Sequence, residues 1–244
     1  MKKWIITLVL SVFTTGAQAG ASAPNCAQDT MLRSAADQAD LGGATSAYFR
    51  QSGARVIMEF DLSGISLPVT NAVLKIRQSS NVSGTYNVQA FPMVYTTNNY
   101  LWIQGTGTSA NGSNTSSPAD ATSAASYKYR CNGTTDLPWE NSSGTALTNA
   151  GTAELWGAQI GQVQGTDWTG GNYSSIILDA ATVETYRTTC GKITIGLWDD
   201  AQLGQAANYQ ISTSEALNEE NRPALEIQTS APARAVRGIY IYRK

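Results

Sequence analysis

The amino-acid sequence predicts an all-β protein whose strands form antiparallel sheets. Three observations favour this fold class. Short segments alternate apolar and polar residues, Gly, Asn, Pro and Ser separate these segments, and only 14% of the residues are charged. Alternation with a period of two buries one face of an antiparallel sheet, and the separating residues are those that turns favour. A chain of 244 residues suits one sandwich or barrel domain.

Residues 1–19 have the features of a secretory signal peptide. Lys2 and Lys3 give a positively charged start, residues 4–13 form a short apolar core, and Ala17-Gln18-Ala19 is a small-x-small cleavage site. The apolar core is too short to span a bilayer comfortably. We therefore expect a secreted protein, extracellular or at the cell surface, that is not inserted in the membrane after cleavage.

The net charge argues against a nucleic-acid partner. Removing Lys2 and Lys3 with the leader leaves 14 basic residues against 18 acidic ones, a net charge of −4. Proteins that bind nucleic acids normally carry a basic surplus, because they neutralise phosphates. We expect no nucleic-acid binding.

Alternation predicts strands along most of the chain. In the clearest segment, Val56, Met58 and Phe60 point to one face, while Ile57 and Glu59 point to the other. A turn at Ser83-Gly84 is expected before the third segment. In chain order, the alternating segments are residues 55–62, 74–77, 86–90, 176–178, 193–197 and 225–227.

One short helix interrupts the strands, and two segments have a different character. Asp179 is a suitable N-cap for a helix over residues 180–189, with Gly191 just beyond its end. Residues 105–126 are almost entirely small and polar, which predicts a long surface loop. Residues 231–244 are basic and end in an alternating segment, so they form either a tail or an extra strand. Such a strand could also pair with a neighbouring subunit.

The chain contains three cysteines, Cys26, Cys131 and Cys190. An oxidising destination favours one disulfide and one remaining thiol. Three pairings fit this count, and we favour Cys131–Cys190 because Cys26 lies near a terminus. The remaining thiol could bridge two chains.

The residue types present limit the available catalysis. Because the chain has no histidine, it has neither a Ser-His-Asp nor a Cys-His centre, and no histidine-ligated zinc site. Glycoside hydrolysis needs two carboxylates across a cleft. Asp199-Asp200 follows a strand and is either a calcium or catalytic pair or a solvated turn, and we favour the turn. The carboxylates considered are Glu59, Asp61, Asp179, Glu184, Asp199 and Asp200.

Aromatic residues give a stronger indication of function. Rings among polar loops either stack on sugars, with their polar atoms bonded to hydroxyls, or close the ends of the sandwich core. Lys128 and Arg130 alternate with Tyr127 and Tyr129, which would place cations and rings on opposite faces of a strand. Outward cations could bind acidic sugars. The aromatic residues are Tyr95, Tyr100, Trp102, Tyr127, Tyr129, Trp139, Trp156 and Trp168.

Residues 55–65, 101–109 and 214–227 contain motifs that resemble, in the same order, those of the DNRLRE-type domain, which is related to the family 96 carbohydrate-binding modules. The segment "RVIMEFDLSGI" (residues 55–65) is similar to a strand of that family. "LWIQGTGTS" (residues 101–109) resembles its W-x-E-G-T-G loop, with Gln104 in place of the usual Glu. Ser214-Glu215, Asn221-Arg222-Pro223 and the alternating Leu225 and Ile227 follow the order of its C-terminal signature.

The resemblance implies a jelly-roll β-sandwich over residues 20–230, without catalytic machinery. Members of that family are commonly joined to polysaccharide-degrading enzymes or surface proteins, and some bind acidic polysaccharides such as alginate. Glu215, Arg222 and Pro223 would act as a structural clasp, with Arg222 paired to Glu215 or Asp61. Calcium is the ion that the oxygen-rich loops would suit, although the sequence offers no defined ligand set.

The sequence therefore predicts a secreted, non-catalytic protein that binds extracellular polysaccharide, with acidic polymers among the candidate ligands. The candidate binding residues are Trp102, Lys128, Tyr129, Arg130 and Trp139. The alternative is a structural cell-surface or fibre subunit that self-associates through its C-terminal strand.

Overall fold

A computed structural model describes residues 20–34, 42–50, 53–102, 104, 123–125, 127, 129–133, 137–199 and 209–230. The predicted leader, the C-terminal segment 231–244, Lys128 and Asp200 lie outside the described residues. So do the side chains of Tyr129 and Cys131. In the described part of the chain, no helix is long and apolar enough to cross a membrane.

The described elements are almost all strands, as the alternation predicts. They are β1 (Ala21–Ser22), β2 (Cys26–Arg33), β3 (Ser46–Phe49), β4 (Ala54–Asp61), β5 (Val69–Arg77), β6 (Val82–Pro92), β7 (Ser123–Ala124), β8 (Tyr129–Gly133), β9 (Leu137–Pro138), β10 (Gly161–Trp168), β11 (Tyr173–Leu178), α1 (Ala180–Cys190), β12 (Lys192–Asp199), β13 (Tyr209–Ser212) and β14 (Ala224–Thr229). Short 3₁₀ turns lie at Asn99–Leu101, Ala153–Leu155 and Glu219–Asn221.

Nine strands form one large sheet, in the order β1-β14-β5-β11-β10-β6-β12-β4-β2. The pairings within it are antiparallel. The inward residues of strands from both halves of this sheet belong to a single buried cluster, so the sheet curls around one core. This confirms the predicted all-β, antiparallel, sandwich-like fold with one short helix.

A two-stranded sheet of β3 and β13 completes the main core. Phe49 of β3 and Tyr209 of β13 stack with ring centroids 6.0 Å apart. Trp168 meets Phe49 edge-on at 5.9 Å and Tyr86 at 5.1 Å. Such edge-to-face contacts are a favoured aromatic geometry. Trp168, predicted only as one of several rings among polar loops, is thus a core residue.

The helix α1 forms where the sequence predicts it. The Asp179 side chain accepts from the Thr182 N–H at 3.0 Å, which satisfies a donor of the first turn. Gly191 ends the helix at φ 69°, in the left-handed conformation that glycine adopts without strain. Val183 is buried against the main core.

The turn predicted at Ser83-Gly84 is wrong. β6 runs continuously from Val82 to Pro92, with Gly84 at φ 104° inside the strand. On the partner strand β10, the pairing register with β6 shifts between Thr166 and Trp168, and the intervening Asp167 also has positive φ. The Asp167 Oδ1 atom accepts from the Gly84 N–H at 3.1 Å. A β-bulge therefore accounts for the glycine.

Candidate functional site

A second buried cluster lies on the outer face of the large sheet. Side chains alternate between the two faces along β4, so Ile57 points away from the main core that Val56 and Met58 enter. Ile57 is instead covered by residues from the 93–156 region, most of them from segments of polar sequence. The buried members of this cluster are Leu32, Ile57, Met93, Trp102, Ala125, Trp139, Ala150, Leu155 and Trp156.

Two predicted sugar-binding residues belong to this cluster. Trp102 is 2% exposed, and its Nε1–H donates to Thr194 Oγ1 at 3.2 Å. Trp139 is fully buried. Neither ring has a face open to a ligand, so both are core residues and the binding assignment is wrong for them. Ala125 is also buried, although residues 105–126 were predicted as a surface loop too polar for a core.

The predicted cationic strand does not present Arg130 to solvent. Arg130 is 6% exposed, and its Nε–H donates to the Pro138 carbonyl at 3.1 Å. This hydrogen bond joins β8 to the end of β9. The buried Arg130 guanidinium therefore faces backbone rather than solvent. The backbone of Tyr129 pairs with Pro138, while Lys128 lies outside the described residues.

The outer cluster opens at one edge into a groove of about 400 Å³. We call it the Arg55 groove, after the cation at its border. Two partly buried rings, Phe91 and Trp198, line it beside the buried Trp156. The rest of its wall consists of small residues from the segment 151–158. The full lining consists of Arg55, Phe91, Gly151, Ala153, Trp156, Gly157, Ala158 and Trp198.

Strand register stacks the groove side chains. β12 lies between β4 and β6 in the large sheet, so Arg55 on β4 and Phe91 on β6 approach Trp198 from opposite sides. The Phe91 and Trp198 rings are parallel, with an interplanar angle of 5° and centroids 3.7 Å apart. The Arg55 guanidinium carbon lies 4.5 Å from the Trp198 ring centroid, a cation–π distance. The three side chains form a preorganised stack.

Gly196 makes room for the third ring of the groove. A side-chain carbon at Gly196 would lie 2.4 Å from Cζ3 of Trp156, closer than packed atoms approach. Gly196 pairs with Ile57 on one side and Phe91 on the other, so the gap lies in the middle of the sheet face. Trp156 fills it and meets Trp198 edge-on, with centroids 5.3 Å apart.

Arg55 carries a charge that no carboxylate among the described residues neutralises. Its two terminal nitrogens donate to the Ala150 and Gly151 carbonyls, the second at 3.4 Å. The Ala150 oxygen also accepts from Trp156 Nε1–H at 2.9 Å, so the Arg55 guanidinium and the Trp156 ring are held by the same carbonyl. Burial lowers the pKa of Arg55, but a guanidinium remains protonated at neutral pH. The groove is therefore cationic.

The motifs that carry the family resemblance converge in space at a different place. Gln104 accepts from the Asp29 N–H at 2.9 Å and donates to the Glu215 carboxylate at 3.0 Å and to the Gly42 carbonyl at 2.6 Å. Asp29 in turn accepts from the Ser214 N–H at 2.5 Å. This polar latch of Asp29, Gln104, Ser214 and Glu215 connects β2 to the loop that precedes β14.

The ion pair predicted for Arg222 has a different partner in the structure. Arg222 pairs with Glu219 at 3.7 Å and donates to the Ala216 carbonyl at 3.1 Å, so it reaches neither Glu215 nor Asp61. A short 3₁₀ turn at residues 219–221 places Glu219 near Arg222, which explains the difference. The Pro223 carbonyl accepts from the Cys26 N–H at 2.9 Å, so this loop joins the two terminal parts of the domain.

The predicted Cys131–Cys190 disulfide is not formed. Cys190 is a free thiol at the end of α1, and its Sγ contacts the Tyr186 and Lys192 carbonyls at 3.2 and 3.0 Å. Cys26 is also free and buried, and burial raises the pKa of its thiol well above the usual range. Spacing along the sequence carried no information on these environments.

Four of the candidate carboxylates are engaged in structural contacts, whereas the Asp199 side chain and Asp200 lie outside the described residues. Glu59 is buried and pairs with Lys192 at 3.1 Å, and its burial raises its pKa despite that cation. Asp61 accepts from the Ser63 N–H at 2.8 Å, and Asp179 is the N-cap of α1. Glu184 accepts from the Val69 N–H at 3.0 Å and pairs with Arg187. Within the described residues, no group of three or more acidic or cysteine side chains is arranged to hold a metal ion.

No model of a known protein family matches this chain, and a search of curated proteins found no significant similarity. The DNRLRE resemblance therefore stays a prediction from the motifs. What the structure adds is the Arg55 groove; of its lining residues, only Trp156 is among the aromatic residues considered from the sequence. The available signal was alternation: Trp198 follows Leu197, so it must point away from the core that Ile195 and Leu197 enter.

Proposed function

We propose that this protein is a non-catalytic, secreted binder of acidic polysaccharide and that the Arg55 groove is its binding site. The observation that carries the proposal is the Arg55 guanidinium, which pairs with no carboxylate among the described residues and is held against a stacked Trp198 and Phe91. Aromatic rings suit the apolar faces of sugars, and a guanidinium binds carboxylates through paired hydrogen bonds. A uronic acid unit offers both features.

The groove's shape is consistent with a binding role. One wall is lined by Gly151, Ala153, Gly157 and Ala158, none of which has a side chain larger than a methyl group. The wall is held in place by backbone bonds, including Gly157 N–H to the Pro92 carbonyl at 2.8 Å and Val94 N–H to the Leu155 carbonyl at 2.8 Å. A site that is already formed loses little conformational entropy on binding.

Affinity electrophoresis tests the proposal directly. The purified protein is run through gels containing polygalacturonate, alginate or the neutral polymer dextran. We expect retardation by an acidic polymer and none by dextran. Arg55→Gln should lower the affinity about tenfold or more, because hydrogen bonds to charged groups contribute roughly 1.5–3 kcal/mol.

Two further variants separate the groove from general surface effects. Trp198→Ala removes the central ring, whereas Tyr95→Ala removes an exposed ring outside the groove, 41% exposed. Circular dichroism melts verify that each variant is folded. Migration that no acidic polymer retards, or equal loss in Trp198→Ala and Tyr95→Ala, would refute the proposal.

A further inference from the structure

The outer face of the large sheet differs between its two halves. Over β2, β4 and β12 it is covered by the second cluster. Over the neighbouring β6 and β10, several outward side chains are exposed instead. The Arg55 groove lies where these halves meet, because Phe91 belongs to β6 and Trp198 to β12.

The open half presents uncharged hydrogen-bonding side chains in register. Gln89 lies opposite Gln162, and Thr85 lies opposite Thr166. Between these two pairs lies Gln164, which is exposed. Gln159 Nε2–H donates to Gln162 Oε1 at 3.1 Å and so orients that amide. We call this set the amide track; it consists of Thr85, Gln89, Gln162, Gln164 and Thr166.

The amide track is continuous with the groove. Trp198 pairs directly with Gln89, and Gln89 pairs with Gln162, so three adjacent strands carry groove and track side by side. Along β6, Phe91, Gln89, Asn87 and Thr85 share the outward face, and Asn87 is the buried member of this row. At about 3.4 Å per residue, the distance from Phe91 to Thr85 is roughly 20 Å.

We infer that the amide track extends the Arg55 groove into one elongated site for a linear acidic polysaccharide of several sugar units, lying along β6 and β10. The inference rests on the proposed function, since it concerns the same ligand and the same site. The groove binds a carboxylate-bearing unit, and the track binds the hydroxyls of the following units through amides and hydroxyls that both donate and accept. In the part of the chain that the structure describes, no charged side chain lies between the members of the track, so hydroxyls rather than acid groups are recognised there.

Calorimetric titration with oligogalacturonates and oligoalginates of two to six units tests the inference. We expect the affinity to rise by at least tenfold from the dimer to the tetramer or pentamer and then to level off. Gln162→Ala should weaken binding of the hexamer about threefold to tenfold but leave dimer binding unchanged. Gln228→Ala is the matched control, because Gln228 is also exposed on the large sheet but lies on β14.

The outcomes distinguish the two proposals. If dimer and hexamer bind equally, or if Gln162→Ala behaves like Gln228→Ala while Arg55→Gln still loses affinity, the groove is a short site and the amide track is not part of it. If Arg55→Gln and Trp198→Ala bind as the wild type does, the proposed function itself fails.

Discussion

Asp29 should make the folded protein less stable at neutral pH than at pH 4. Its side chain is 1% exposed, and Oδ1 has no hydrogen-bond partner among the described residues. Burial raises the pKa of Asp29 from 3.8 to about 7, and the nearby Glu215 carboxylate acts in the same direction. The Ser214 N–H and the Cys26 thiol oppose this rise only in part.

The sign of the effect follows from proton binding. Between pH 3.8 and about 7, the folded state retains the Asp29 proton that the unfolded state releases, so the free energy of unfolding falls as the pH rises. The contribution is complete below pH 3.8 and is lost above pH 7. At about 1.4 kcal/mol per pH unit over this range, the total is roughly 4 kcal/mol.

Asp29→Asn removes this titration, because an amide does not ionise. Urea denaturation at intervals from pH 4 to 8 should show a shallower fall in the free energy of unfolding for the variant than for the wild type. Asp61→Asn is the control: Asp61 is exposed, and its hydrogen bonds with Ser63 lower its pKa below 3.8. Its pH-dependent contribution therefore changes only below pH 3.8, and this variant should follow the wild-type profile from pH 4 to 8. Equal pH profiles for wild type and Asp29→Asn would show that the titration of Asp29 does not lower the free energy of unfolding in this range.

Two further predictions concern single positions. Gly196→Ala should lower the free energy of unfolding by about 1–3 kcal/mol, since the added carbon collides with Trp156. The control Gly64→Ala, which has nothing within 4 Å of the added carbon, should change the free energy of unfolding by less than about 0.5 kcal/mol. Equal effects of the two variants in chemical denaturation would contradict the packing argument. Asp179→Ala should lower the free energy of unfolding by about 0.5–2 kcal/mol, because α1 loses its N-cap. Asp179→Asn can still accept the same hydrogen bond and should lower it less. Thermal melts in which Asp179→Asn is the less stable of the two variants would argue against capping.

The sequence was sufficient for features that depend on local patterns. Alternation located β4, β5, β6 and β12 and their inward faces, because a strand in a sheet with one buried face must alternate. The cap at Asp179 and the glycine at 191 located α1 for a similarly local reason.

The candidate site was less accessible from sequence, because it depends on contacts between distant segments. Trp102 and Trp139 lie in polar surroundings along the chain, yet both are buried on the outer face of the sheet. The gap that Trp156 fills comes from Gly196, which lies forty residues further along the chain, in β12. Local alternation gives the face on which Trp198 lies but not which residues cover that face. The ring stack with Arg55 is therefore a tertiary feature.

The most direct test of the account is a calorimetric titration of the wild type and of Arg55→Gln with an alginate or polygalacturonate hexamer. We expect the wild type to bind measurably and more weakly at high salt, because a charge pair contributes, and the variant to bind at least tenfold more weakly. Wild-type binding that is absent for both hexamers, or that Arg55→Gln leaves unchanged, would contradict it.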